Sequence, residues 1–83
     1  MKQILYFTAA WCGPCKAFRS VMSAVSRFGA NVQTLDVDLH KEKAEEFGIR
    51  SVPTCVFLKD GKEVRRTIGA QSQQHIVNLY NNL

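Results

Sequence analysis

Cysteine is scarce in this 83-residue chain, with three residues at Cys12, Cys15 and Cys55. One close pair, a lone third cysteine and two distant histidines fall short of the paired ligands a structural zinc site draws on, so no metal is expected. Lys16, not histidine, follows Cys15, which excludes the usual haem-attachment pattern. No apolar run approaches the ~20 residues needed to cross a bilayer, so no membrane segment is expected. Glycine clusters of the GxGxxG kind are missing, which removes the dinucleotide fingerprint; no bound cofactor is expected. The opening Met1-Lys2-Gln3-Ile4 runs straight into a strand-like stretch without a small-residue cleavage site. No signal peptide is therefore read, and the expected compartment is the reducing cytoplasm. Acidic residues are outnumbered, seven to eleven, for a net charge of +4. The basic residues are scattered, with only Arg65 and Arg66 adjacent, so an ordinary solvated surface is expected and no nucleic-acid footprint. Repeats, low-complexity tracts and interdomain linkers are likewise absent.

What remains is enough for one domain, residues 1–83, in which apolar residues make up 46% of the chain. The most informative stretch is Trp11-Cys12-Gly13-Pro14-Cys15-Lys16. It lies between the apolar run Ile4-Leu5-Tyr6-Phe7 and an amphipathic run that continues from Phe18, which places it on a strand-to-helix turn. Residues three apart are neighbours on a helix face. The two sulfurs can therefore close a disulfide if their Cα atoms lie about 5–6 Å apart. Cys12 falls at the helix start, where unpaired N–H groups and the helix dipole favour an anion. An exposed attacking thiolate at Cys12 and a resolving thiol one turn later, at Cys15, are expected. Pro14 suits the first turn, where its missing N–H is no loss.

Taken in order, residues 2–7 read as a buried strand. Phe18, Val21, Met22, Val25 and Phe28 recur at helical spacing until Gly29 stops the helix. Residues 32–37 read as a second strand, and 41–47 as a charged helix ended by Gly48. Residues 52–58 form the next strand, with Pro53 near its start. Asp60-Gly61 is a two-residue hairpin turn returning through 64–68. Ser72 caps a last helix with Ile76, Leu79, Tyr80 and Leu83 on its apolar stripe. The expected fold class is α/β, β-α-β-α-β-β-α, with a four-stranded mixed sheet flanked by three helices. The site then lies at the carboxyl end of the first strand.

The segment 11–16 resembles the signature of the thioredoxin family. Further resemblances are Phe47-Gly48-Ile49-Arg50-Ser51-Val52-Pro53-Thr54, Phe57-Leu58-Lys59-Asp60-Gly61 and Ile68-Gly69-Ala70. The chain looks like a short thioredoxin fold lacking the family's first strand and helix. The resemblance implies that Cys12 attacks a protein disulfide and Cys15 resolves the mixed disulfide. It implies a cis Pro53 facing the sulfurs, and a docking groove bordered by Trp11, Gly13, Pro14, Val52, Gly69 and Ala70. It further implies a monomer that acts on disulfide-containing proteins and is re-reduced by a separate reductase of the thioredoxin reductase type. Two departures stand out. The family commonly buries an aspartate six residues before the first cysteine, where this chain has Tyr6; the accompanying lysine falls at Thr34. Thr8 stands where a tryptophan is frequent.

Two other readings compete. A glutaredoxin-like electron donor fits the short length, but Ile68-Gly69-Ala70 replaces the Gly-Gly pair usual before that group's last helix. A redox-independent binding subunit of a larger enzyme is the second. Cys55 reads as a small buried hydrophobe, His40 and His75 as surface residues. Arg50 is divided between solvent and contact with an acidic partner.

Overall fold

The first strand, β1 (Lys2–Thr8), is buried on both faces from Ile4 onward. Ile4 and Tyr6 join Phe18, Met22, Val25, Cys55, Phe57 and Ile76 in one core, whereas Leu5 and Phe7 join Leu35, Val56 and Leu58 in another. A strand covered on both sides reads as a continuous apolar run rather than an alternating one. The computed structural model describes residues 1–83.

Helix α1 (Gly13–Arg27) buries Cys15, Phe18, Met22 and Val25 at spacings of three and four, the last three in the first core. Arg27 occupies its last turn, where a cation suits the dipole. Gly29 ends it with φ of 110°, donating its N–H to Ser26 O at 3.0 Å. Strand β2 (Val32–Asp36) then pairs parallel with β1, Ile4 opposite Val32 and Phe7 opposite Leu35. Helix α2 (Lys41–Glu46) is short, and it covers the second core through Ala44 and the following Phe47. Strand β3 (Thr54–Lys59) runs antiparallel to β1, and β4 (Lys62–Ile68) antiparallel to β3. The turn between them is Asp60-Gly61, both with positive φ (54° and 83°), the backbone a two-residue hairpin needs. Helix α3 (Gln73–Asn81) is capped by the Ser72 hydroxyl, which accepts the His75 N–H at 3.1 Å. It returns to the α1 face and buries Ile76.

The sheet order is β2-β1-β3-β4, with one parallel and two antiparallel pairings. This is the expected mixed sheet, with α1 and α3 on one face and α2 on the other. Two strand starts differ by two residues from the sequence expectation. Val52 and Pro53 stand outside β3, in the loop before it, because the β1 pairing reaches only to Thr54 opposite Phe7. Strand β4 starts at Lys62 rather than at residue 64, because the tight turn brings Lys62 directly opposite Lys59.

Ile76 is wholly buried and is the one residue of α3 that is. Ile76→Ala is expected to lower unfolding stability by about 2–5 kcal/mol, read from the midpoint of a urea titration.

Candidate active site

The disulfide turn is built from the first residues of α1. Cys12 has extended backbone angles (φ −84°, ψ 112°) and is the residue that caps the helix. Its sulfur accepts the Cys15 N–H at 3.2 Å, the bond an oxygen makes at an ordinary helix start. Cys12 and Cys15 are joined as a disulfide with a Cα separation of 5.3 Å. Pro14 sits in the first turn as expected. The Cys12 N–H is held by Ala9 O at 3.2 Å. One expectation fails: Cys12 is only 4% accessible rather than exposed, and Cys15 is fully buried. Ala9, Val37 and Val52 pack around the pair, because the ends of β1, β2 and the loop before β3 converge there. Gly13 and Pro14 are exposed.

The loop carrying Val52 and Pro53 is tied down at several points. Arg66 on β4 donates from Nη2 to Phe47 O at 2.7 Å, the carbonyl that ends α2. The same guanidinium is gripped by both carboxylate oxygens of Glu63, at 2.7 and 2.9 Å. The guanidinium holds the Glu63 carboxyl below its usual range. Ile49 N donates to Ala44 O at 2.9 Å, and the Thr54 hydroxyl to Ser51 O at 2.8 Å. The Val52–Pro53 peptide is cis, and the Pro53 side chain is buried. Pro53 O accepts the Gly69 N–H at 2.8 Å, bringing Gly69 against this loop, while Ala70 is exposed beyond it. Val52 O lies 3.7 Å from the Cys12 sulfur.

Beside the disulfide is a groove of about 110 Å³ lined by Trp11, Val37, Ile49, Arg50, Ser51 and Val52. Trp11 is 69% exposed, and its indole N–H is held by Asp38 Oδ2 at 2.9 Å. Asp38 is in turn set by its own N–H donating to Asp36 Oδ1 at 2.8 Å. Nothing local in the sequence signals this contact across 27 residues. Of the residues expected to border a groove, Trp11 and Val52 line this one. Gly13, Pro14, Pro53, Gly69 and Ala70 do not. Val37, Ile49 and Ser51 line it without having been singled out.

Beneath the turn lies Tyr6, 1% accessible and edge-on to Phe18 with ring centroids 5.6 Å apart. Its hydroxyl is 3.3 Å from Thr8 Oγ1 and 3.4 Å from Cys15 O. Thr34 pairs in register with Tyr6 but is exposed. The remaining cysteine, Cys55, is free and buried, its sulfur 3.8 Å from Met22 Sδ. No group of three or more His, Cys, Asp or Glu side chains converges to hold a metal ion, and no helix is long and apolar enough to cross a membrane.

A mixed sheet that presents a closable Cys-Gly-Pro-Cys turn at the carboxyl end of its central strand defines a dithiol redox protein. Comparison with known proteins says which kind. The family model described as Thioredoxin matches residues 1–82. A thioredoxin of Chlamydia muridarum is 40% identical over 75 residues, covering 88% of this chain and 74% of that protein. A solved mutant thioredoxin from Halobacterium salinarum superposes with a TM-score of 0.92 at 32% identity, covering 98% of this chain and 73% of that one. Thioredoxin NaTrxh from Nicotiana alata gives 0.90 at 35% identity, over 98% and 71%. The chain belongs to the thioredoxin family. It is a thiol–disulfide oxidoreductase that reduces protein disulfides through the Cys12/Cys15 dithiol.

Burial pushes the Cys55 thiol up to about 12 from 9.0. A thiol whose folded value is raised stabilises the fold below its unfolded value. That contribution is lost as pH climbs from about 9 to about 12. Stability should therefore fall through this window by up to about 1.4 kcal/mol per unit, and Cys55→Ala should flatten the fall. Denaturant titrations at a series of alkaline pH values would read both.

Proposed function

We propose that Cys12 is the nucleophile and Cys15 the resolving thiol of a cytoplasmic, monomeric, single-domain electron carrier. The observation that carries this reading is the Cys15 N–H aimed at the Cys12 sulfur at the mouth of α1. Once the pair is reduced, the same N–H and the helix dipole favour a thiolate on Cys12. That thiolate attacks one sulfur of a substrate disulfide. The other substrate sulfur leaves as a thiolate, and a mixed disulfide remains on Cys12. Cys15 then loses its proton and attacks Cys12 Sγ, releasing the second substrate sulfur. Two electrons and two protons pass to substrate, and the disulfide of Cys12 and Cys15 is left. A partner reductase of the thioredoxin reductase type returns the electrons, which is the chain's place in electron transport.

Docking falls to Trp11, Gly13, Pro14, Val52, Pro53, Gly69 and Ala70. Neither the N–H nor the C=O of Val52 pairs with another backbone group, and Pro53 has no N–H to compete. An extended substrate segment laid against Val52 can make those backbone bonds beside the sulfur. Trp11, fixed by Asp38, supplies an apolar plate.

The Cys15 proton has no carboxylate to receive it in this chain. Tyr6 is the polar side chain beneath Cys15, its hydroxyl 3.4 Å from the Cys15 carbonyl oxygen, and it offers a hydroxyl where a carboxylate would accept the proton. Water or the substrate thiolate released in the first step takes that proton instead, so the second step should be slower or follow a different pH dependence.

Reduction of insulin by dithiothreitol tests the dithiol roles. Cys12→Ser should fall to the uncatalysed rate, while Cys15→Ser should accumulate a mixed disulfide visible by mass spectrometry. Full turnover by Cys12→Ser would sink the assignment. Tyr6→Asp should raise the rate of the resolving step near neutral pH and move its pH profile, read by single-turnover kinetics. An unchanged profile would mean that proton acceptance there is not limiting.

A further inference from the structure

We infer that Arg50 makes this protein select substrate segments with an acidic side chain close to the target cysteine, an inference that rests on the docking reading above. The groove that Arg50 lines has an apolar floor of Val37, Ile49, Val52 and the Trp11 ring. At about 110 Å³ it is well below the ~300 Å³ at which small-molecule pockets begin. Its size suits one side chain of a bound peptide. Val52 belongs both to this groove and to the surroundings of the Cys12 sulfur, 3.7 Å from its carbonyl. A peptide whose cysteine reaches Cys12 therefore passes the groove within a residue or two, since alternate side chains of an extended chain lie ~7 Å apart on one face.

The charges on the rim decide which side chain is favoured. The chain's ion pairs join Met1 with Asp60, Lys43 with Glu46 and Arg66 with Glu63. Arg50 is exposed and takes no part in them. No carboxylate lines the groove, and that of Asp38, on the Trp11 side, is engaged by the indole N–H. A substrate carboxylate thus meets an unpartnered guanidinium that can bind it through two parallel N–H groups. The net charge of +4 acts in the same direction during approach. A lysine or arginine at that substrate position would face like charge instead. Exposed pairs of this kind discriminate modestly, by about two- to fivefold.

The test uses disulfide-linked fluorescent peptides that carry Glu or Gln one, two or three positions to either side of the target cysteine. The kcat/KM ratio of each Glu peptide to its Gln twin is measured at low and high salt. In the wild type, at least one position should favour Glu by about two- to fivefold, and ~0.5 M salt should shrink the preference. Arg50→Gln should bring that ratio to about one, and Arg50→Glu should invert it. Equal rates for Glu and Gln at every position overturn the inference and leave the dithiol chemistry standing; so does a preference that survives in Arg50→Gln. Failure of the reduced wild type to cleave any of the peptides overturns the docking reading, and this inference with it.

Discussion

The hydrogen bond from the Cys15 N–H to the Cys12 sulfur is the contact that sets the disulfide turn at the mouth of α1. It uses an orphan donor of the first helical turn, so it exists only if α1 begins where it does. That start is set from both sides. Ahead of it, Ala9 O holds the Cys12 N–H at the end of β1. Behind it, Phe18, Met22 and Val25 anchor α1 in the core beneath Ile4, Tyr6 and Phe57. The same core that stabilises the fold therefore aims the donor.

The second wall of the site is not built by α1. It is the loop before β3, and its position is inherited from β4. Arg66 reaches across to the end of α2 at Phe47, and Gly69 ties back to Pro53. A half-buried arginine held by Glu63 on one side and a carbonyl on the other is a fixed strut. The Val52 backbone can then stay unpaired beside the sulfur without the loop collapsing to satisfy it. This arrangement separates duties: α1 holds the disulfide turn, and β4 holds the loop beside it.

The interior under the dithiol departs from the usual family pattern. Tyr6 fills the space with an aromatic ring and a hydroxyl in place of a carboxylate. Its ring packs edge-on to Phe18, so the position contributes to the core. A buried carboxylate there would be expensive to keep charged. At this position the chain has packing where a carboxylate would be a resident proton acceptor.

Much of this was legible in the residues alone. The run Ile4-Leu5-Tyr6-Phe7 named the central strand, because a short run rich in β-formers and apolar without alternation fits a strand covered on both faces. The spacing of Phe18, Met22 and Val25 named α1 and its buried face. Asp60-Gly61 named the hairpin, and Ser72 the start of α3, since each satisfies a local backbone requirement. Local periodicity and turn chemistry also placed Cys12 at a helix start. The chain by itself did not reveal how covered Cys12 is, nor where β3 begins, nor that Asp38 holds Trp11 and Arg66 holds the end of α2. Those facts join residues 19 to 40 positions apart. They follow from the register in which β1 pairs with its two neighbours, which no local pattern encodes. Sequence determined which residues could do the chemistry; only the packed sheet decided what surrounds them, because surroundings are made by contacts between distant segments.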